Sequence, residues 1–156
     1  MAKQDMKNAN VKAPPPIVTV LYIAMAYLLG WLIHLPIAVP GSLRIFGFAL
    51  TVIGFLFGIG ALVAFRKART TLDPRGSATA LVEKGVYQFT RNPIYLGFLL
   101  MVIGLPLNSG LYWGILMAPF FVVTINRLVI EKEEAYLENK FKDQYTSYKS
   151  RVRRWL

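Results

Sequence analysis

The sequence predicts an all-α polytopic membrane protein with about four transmembrane helices and a C-terminal amphipathic helix at the cytosolic face. Of the 156 residues, 55% are hydrophobic and the mean hydropathy is +0.45, which is too apolar for an ordinary soluble domain of this length. The apolar residues are gathered in four runs, and the longer runs reach the roughly 20 helical residues that cross a hydrocarbon core. We therefore expect one membrane domain over residues 17–156, preceded by a polar tail over residues 1–16.

The first two apolar runs predict spans at about residues 17–39 and 43–65. Before them, three consecutive prolines resist helix formation and mark the end of the tail. The second run contains Gly54 and Gly58, a GxxxG pair that lets another helix approach closely. We favour packing of a helix within the monomer over dimerisation through this pair.

The last two apolar runs predict spans at about residues 93–107 and 111–130. The first of these is short for a span, so we expect a short helix of a hairpin that Pro106 ends. A turn at residues 108–110 reverses the chain. Residues 131–152 then continue as an amphipathic helix, because apolar and aromatic side chains recur there at multiples of three or four.

Basic residues determine the expected orientation. The net charge is +10, and Lys and Arg cluster beside apolar segments, which favours anionic lipid headgroups over nucleic acid as partners. The tail, residues 66–91 and the C-terminal segment are basic, whereas residues 40–43 and 108–110 carry no charge. By the positive-inside rule, both termini are expected in the cytosol, and a prokaryotic protein of this kind is expected in the inner or plasma membrane.

The sequence has no cysteine and a single histidine, His34. Disulfides, thiolate nucleophiles, Cys-ligated metals and a His-rich metal site are therefore excluded. His34 lies in the first apolar run, where it is either a pocket group or a partner of a neighbouring backbone carbonyl, and we favour the second role. No cleavable signal peptide is expected, because the polar start is long and no small-residue cleavage site follows the apolar run.

The polar run LVEKGVYQFTRNPIYLG, residues 81–97, is the predicted functional site between the two apolar halves. Gly85 permits a tight or left-handed turn, and Arg91 offers a fixed fork of donors that suits a carboxylate. Asn92 is the expected cap of a helix that Pro93 begins, and a helix N-terminus beside an arginine is a good seat for an anion. The simpler alternative is a capped membrane helix whose arginine touches lipid phosphates.

Aromatic and acidic residues extend this prediction. Tyr87 and Tyr95 in the polar run offer faces that could pack on a base or a cation. In the C-terminal helix, Glu134 lies inside the apolar stripe and Glu133 borders it. A carboxylate on a buried face beside the membrane should be paired or functional. If these carboxylates are only paired and have no function, the expected arrangement is a ladder of ion pairs along one side of the helix that begins at Arg127.

The basic end of the chain reads most simply as an interfacial anchor with an aromatic belt residue. Its residues are Lys149, Arg151, Arg153, Arg154 and Trp155.

Two segments resemble a known family. GVYQFTRNPIYLG is similar to the signature Gly-x-Tyr-x-x-x-Arg-(His/Asn)-Pro-x-Tyr-x-Gly of the integral-membrane isoprenylcysteine carboxyl methyltransferase and phospholipid methyltransferase superfamily. EEAYLENKFKDQYTSYKSRVRRWL, residues 133–156, resembles that family's C-terminal pattern, and the two segments span roughly the last half of the chain. Asn92 stands where many members carry His, which weakens any role for an imidazole, and Lys142 stands where Gly is usual, which suggests a locally different turn.

The resemblance implies an S-adenosylmethionine-dependent methyltransferase with a lipophilic acceptor, either an isoprenylcysteine-like carboxylate or a phospholipid amine. It implies that Arg91, with N–H groups near Asn92, binds the methionyl carboxylate, while Glu133 or Glu134 takes the amino or ribose groups. An arginine of the basic end becomes a candidate for the substrate headgroup or the cofactor carboxylate. The implied catalytic residues are Glu134 and Arg91, with no metal. The implied cofactor-binding residues are Gly85, Tyr87, Arg91, Asn92, Pro93, Tyr95, Gly97, Glu133 and Glu134.

Two other functions stay open at this point. Membrane reductases of the sterol type look similar in their C-terminal core and bind a nicotinamide cofactor there, and Arg66, Arg69 and Arg75 could meet the 2′-phosphate of NADPH. A non-enzymatic membrane scaffold would depend on its GxxxG pair more than on Arg91. The sequence leaves open the acceptor, the need for a general base, the oligomeric state, and whether the third helix fully spans.

Overall fold

The computed structural model describes residues 9, 11, 13–70 and 78–156, and these residues form helices and connections without a strand. Three helical stretches, Pro15–Leu32, Gly41–Lys67 and Trp113–Phe141, are long and apolar enough to cross a membrane, and a further apolar helix, Pro93–Asn108, is shorter. The all-α membrane fold class is thereby confirmed. The turn expected at residues 73–76, with Arg75, and most of the predicted tail lie outside the described residues. The helices are α1 (Pro15–Leu32), α2 (Gly41–Lys67), α3 (Pro93–Asn108), α4 (Trp113–Ile125), α5 (Glu131–Phe141) and α6 (Asp143–Arg151).

Helix α1 ends at Leu32, before the predicted end of the first span. Ile33 is extended, with φ −127° and ψ 97°, and Pro36 cannot donate a helical hydrogen bond. His34 therefore lies exposed in the connection to α2 and not in a helix. The neighbouring carbonyl of Ile33 accepts a hydrogen bond from Trp113 Nε1 at 3.1 Å. His34 and Trp113 both line a cavity at this end of the bundle, which fits the pocket role left open for His34, and its favoured bond to a backbone carbonyl stays a prediction.

Helix α3 packs against α1, α2 and α4, and its contact with α2 brings the two backbones together. A Cβ atom added to Gly54 would lie 2.6 Å from the carbonyl oxygen of Gly97, and one added to Gly104 would lie 2.6 Å from that of Gly47. Small residues allow this close approach between membrane helices. Gly58, by contrast, has no atom within 4 Å of an added Cβ. Packing within the monomer is confirmed for Gly54, whereas Gly58 takes no part in it.

The single helix predicted over residues 131–152 is two helices, because Lys142 breaks it. Lys142 has φ 45° and ψ −117°, a backbone conformation that favours glycine because glycine has no Cβ. Its N–H donates to the carbonyl of Glu138 at 3.0 Å, and its carbonyl accepts from the N–H of Thr146 at 3.0 Å. Lys142 therefore separates α5 from α6, so the locally different turn that the sequence suggested at this residue divides the predicted helix in two.

Substitution by alanine should affect the two glycines of the GxxxG pair differently. Gly54→Ala places a carbon 2.6 Å from a backbone oxygen, so α2 must move away from α3. We expect the free energy of unfolding to fall by about 1 to 3 kcal/mol. Gly58→Ala meets open space and gains up to about 1 kcal/mol of helix propensity. Unfolding in detergent, followed by circular dichroism, measures both variants, and an equal loss in both would contradict the assigned contact.

Relief of the strain at Lys142 should stabilise the protein. Lys142→Gly removes the Cβ that clashes at positive φ, so we expect the free energy of unfolding to rise by about 1 kcal/mol. Lys142→Ala is the matched control, because it removes the charged side chain and keeps the Cβ. The same unfolding measurement applies, and an equal gain in both variants would show that the lysine side chain, not the backbone, is the source.

Candidate functional site

The two segments that resemble family motifs meet in one cavity, at the end of the bundle where α2 ends and α3 begins. The cavity and its open mouth together hold about 870 Å³ of empty space, open solvent included. Gly85, Pro93 and Gly97 do not line it; they shape the turn, begin α3 and pack against α2, respectively. The predicted site residues that line it are Tyr87, Arg91, Asn92, Tyr95, Glu133 and Glu134.

A 3₁₀ turn over Gly85–Gln88 sets the first part of the polar run. Gly85 has φ +68°, so the left-handed turn predicted there is confirmed. Tyr148 donates its hydroxyl to the carbonyl of Tyr87 at 2.7 Å, and Phe65 packs edge-on against the Tyr87 ring, with centroids 5.7 Å apart. Burial raises the pKa of Tyr87 well above its usual value, so this wall of the cavity is neutral and aromatic.

Asn92 stands at the N-cap position of α3, as predicted, but its side chain does not cap the helix. Its Nδ2 donates to the carbonyl of Arg154 at 3.0 Å, and its N–H donates to Thr90 Oγ1 at 3.1 Å. The first-turn N–H groups of α3 therefore receive no acceptor from the Asn92 side chain. The positive end of the helix dipole stays without a side-chain cap next to Arg91.

Two arginines hold one carboxylate beside the cavity. Arg154 donates from Nε to Glu134 Oε1 at 3.1 Å and from Nη2 to Oε2 at 2.7 Å, a bidentate pair. Arg91 Nη1 lies 3.2 Å from the same Oε1 atom. The side chains of Arg91 and Glu134 are each 9% exposed, whereas that of Arg154 is 34% exposed. Two positive charges and one negative charge leave this cluster with one positive charge in excess.

Arg91 keeps donor capacity after these contacts. Its Nη1 reaches the Tyr145 hydroxyl at 3.4 Å, while its Nε is buried and has no hydrogen-bond partner in the described part of the chain. Burial raises the pKa of Tyr145 to about 12, so that hydroxyl stays neutral. A buried N–H without a partner is costly. Arg91 is therefore well suited to receive an anion.

Glu133 has a different partner from its neighbour in sequence. The Tyr95 hydroxyl donates to Glu133 Oε1 at 2.7 Å, and both side chains line the cavity. The ion pairs found among residues 13–70 and 78–156 do not include Glu133. The cavity thus presents one acid that two arginines neutralise, Glu134, and one that they do not.

A π-helical turn over Asn126–Ile130 joins α4 to α5 and places the two acids. A π turn contains an extra residue, so it changes which side chains face inward. Ile130 is fully buried, whereas Arg127 is exposed. Glu134 therefore faces the polar run and pairs with its arginine. The ladder from Arg127 to Glu134, which uniform helical spacing suggested, is wrong.

Comparison with known proteins identifies the family. The model of the family described as phospholipid methyltransferase matches residues 43–144. The chain belongs to this family. The match includes the polar run and both glutamates of the cavity, and it favours a methyltransferase over the reductase alternative.

Three curated proteins are similar to this family member. An uncharacterised protein of Haemophilus influenzae is 44% identical over 66 residues, which cover 40% of this chain and 100% of that protein. Protein-S-isoprenylcysteine O-methyltransferase B of Arabidopsis thaliana is 31% identical over 112 residues, or 69% of this chain and 55% of that protein. Protein-S-isoprenylcysteine O-methyltransferase of Schizosaccharomyces pombe is 32% identical over 72 residues, or 46% of this chain and 30% of that protein. The chain thus spans about half or less of these two methyltransferases, and no solved structure matches it.

In this phospholipid methyltransferase family member, the cavity also contains residues that sequence reasoning did not assign to it. Tyr145 and Tyr148 line it from α6, and Tyr136 lines it from α5. The regular spacing of the two α6 tyrosines was a signal, although it predicted only an apolar stripe. Ala9 lines the cavity, and Val11 is buried in the core beside it. This part of the predicted tail is therefore packed, and its composition gave no sign of that.

The basic end is packed on the site and is more than the predicted interfacial anchor. The side chain of Arg154 holds Glu134, and Trp155 packs against the core that contains Tyr95. Arg151 makes an exposed ion pair with Glu83 at 3.0 Å. Residues near the C-terminus thus pack against the residues that line the cavity.

Proposed function

We propose that this protein is an S-adenosylmethionine-dependent methyltransferase that acts at the cytosolic face of the membrane on a lipophilic acceptor. The observation that carries the proposal is that one cavity holds an arginine with one unused donor, Nε, and a carboxylate outside the arginine cluster. The methionyl end of S-adenosylmethionine is a zwitterion, with a carboxylate and an ammonium group. Arg91 suits the carboxylate, and Glu133 suits the ammonium group.

The remaining walls suit the rest of this cofactor. Tyr87, Tyr136 and Tyr145 line the cavity and offer aromatic faces for an adenine ring or for the cationic sulfonium. Tyr95 is assigned to hold Glu133, because its hydroxyl already donates to that carboxylate. Glu134 is assigned to orient Arg91, because arginines engage both of its oxygens.

S-adenosylmethionine supplies a methyl group on a sulfonium: a lone pair of the acceptor forms the new bond to carbon while the old carbon–sulfur bond breaks. Such a displacement needs the two reactants in line and water kept out. Arg91 and Glu133 fix the position of the donor, and the buried tyrosines and apolar residues exclude water. The chain's contribution is thus chiefly orientation.

The acceptor is proposed to be lipophilic because Phe65, Ile94 and Leu137 are among the apolar residues that line the cavity. The names of two relatives contain isoprenylcysteine, whose carboxylate is ionised near neutral pH and needs no base. A phospholipid amine must lose a proton before it attacks. Glu133 is then the proposed base, since arginines do not neutralise it.

Calorimetric titration of the purified protein in detergent tests the cofactor. We expect S-adenosylmethionine to bind the wild-type protein and NADPH not to bind. Arg91→Ala removes charge-assisted hydrogen bonds worth about 1.5 to 3 kcal/mol, so we expect its affinity to be about ten- to a hundredfold lower. Arg127→Ala, which removes an exposed arginine next to the site helix, is the matched control and should bind as the wild type does.

An analogue of the cofactor without its carboxylate tests the contact directly. It should bind the wild-type protein and Arg91→Ala with similar affinity, because the group that Arg91 holds is missing. Binding of NADPH instead of S-adenosylmethionine would assign the protein to the reductases, and binding of neither would favour the scaffold. Methyl transfer to an amine headgroup or to an isoprenylcysteine carboxylate would decide the acceptor. With S-adenosylmethionine at saturating concentration, which offsets weaker cofactor binding, a base role for Glu133 predicts that Glu133→Gln abolishes transfer to the amine but not transfer to the carboxylate.

The proposed orientation follows from where the basic residues lie. Lys67 is the last residue of α2, Lys84 precedes the 3₁₀ turn, and Arg153 follows α6; all three are exposed. They therefore lie at the end of the bundle that holds the cavity, where we propose that they face anionic headgroups of the cytosolic leaflet.

The cysteine-free sequence makes this orientation testable with single cysteines. Asn108→Cys lies at the end of α3 away from the cavity, and Ser147→Cys lies on α6; both positions are exposed. We expect a membrane-impermeant maleimide to label Asn108→Cys in intact cells and to label Ser147→Cys only after lysis. The reverse pattern would place the cavity on the outer face.

A further inference from the structure

The last residues of the chain lie across the polar run and bind its backbone and side chains. The N–H of Arg91 donates to the carbonyl of Arg153 at 2.9 Å. Thr90 Oγ1 and Asn92 Nδ2 donate to the carbonyl of Arg154 at 3.1 and 3.0 Å. Three consecutive residues before α3 are thus held by two consecutive carbonyls, an arrangement that we call the C-terminal latch.

The side chain of Arg154 closes this latch onto α5. Its bidentate contact occupies both oxygens of Glu134, so Arg91 shares only Oε1 and keeps its Nε without a partner in the described part of the chain. Arg91 and Glu134 line the cavity, whereas Arg154 does not. Arg154 therefore lies behind Glu134, out of reach of a molecule in the cavity.

We propose that Arg154 is a positioning residue that keeps Glu134 away from full engagement with Arg91, so that Arg91 stays free to bind an anion in the cavity. The inference rests on the proposed function for the identity of that anion, the cofactor carboxylate. Without Arg154, the nearest cation for Glu134 is Arg91, and a bidentate pair between them would use the donors that the ligand needs. The excess positive charge of the cluster would also disappear.

Binding of S-adenosylmethionine to single and double variants tests this role. We expect Arg154→Ala to weaken binding about tenfold, and Arg154→Lys, which keeps the charge but not the fork, to weaken it less. The decisive comparison is made in the background of Glu134→Gln, where the competing carboxylate is gone. There, Arg154→Ala should cost less than about threefold, since coupled residues are not additive. An undiminished loss in that background would mean that Arg154 contacts the ligand itself and would overturn the proposal.

Arg151→Ala is the matched control for charge. Arg151 also lies near the C-terminus, and it forms an exposed ion pair with a glutamate. It should bind the cofactor as the wild-type protein does. A loss equal to that of Arg154→Ala would make the effect one of net charge and would overturn the proposal.

Hydrogen exchange tests the latch without any cofactor. The amide of Arg91 is bonded to the carbonyl of Arg153, so we expect Arg154→Ala to speed exchange in the peptide that contains Arg91 by about tenfold, and Arg151→Ala to leave it unchanged. Equal exchange rates in wild type and Arg154→Ala would overturn the claim that the side chain of Arg154 closes the latch. Faster exchange in a protein that binds no S-adenosylmethionine would establish the latch and refute the ligand role together with the proposed function.

Discussion

The contact of one buried carboxylate with two arginines holds three distant parts of this chain together. Glu134 lies on α5, Arg91 in the polar run, and Arg154 at the C-terminus. A buried carboxylate without partners would be strongly unfavourable, so these three segments must come together for the chain to fold this way. The same requirement leaves the cluster with one positive charge in excess and Arg91 with an unused donor, which are the features that an anionic ligand needs.

The position of this cluster depends on the close contact between α2 and α3. Because Gly54 meets the backbone of Gly97, the start of α3 is fixed against α2, and Arg91 just before it is fixed as well. On the other side, α6 begins at the break at Lys142, and its buried tyrosines lie in one cluster with Ala61 of α2 and line the cavity. The strained backbone of Lys142 thus stands next to a helix that the site needs.

The family match covers the residues around the cavity unevenly. The matched residues, 43–144, include Arg91 and both glutamates, while the two carbonyls of the C-terminal latch belong to Arg153 and Arg154, beyond the match. Asn92, which replaces the histidine of many members, donates to one of these carbonyls. In this chain the residue after the arginine therefore serves as a structural tie between the polar run and the C-terminus.

The sequence by itself determined the number of apolar segments, the fold class and the left-handed turn at Gly85, because composition, hydropathy and glycine geometry are local properties. It also indicated that the two segments with family motifs belong to the same end of the molecule. It could not determine that Glu134 faces an arginine of the polar run while Glu133 faces Tyr95. These directions depend on the π turn just before the two glutamates, and the spacing of apolar residues in the sequence does not reveal that turn. Nor could it show that Arg154 returns to the site or that Ala9 packs beside it. Only the tertiary structure decided these contacts, because each depends on how segments far apart in sequence are brought together.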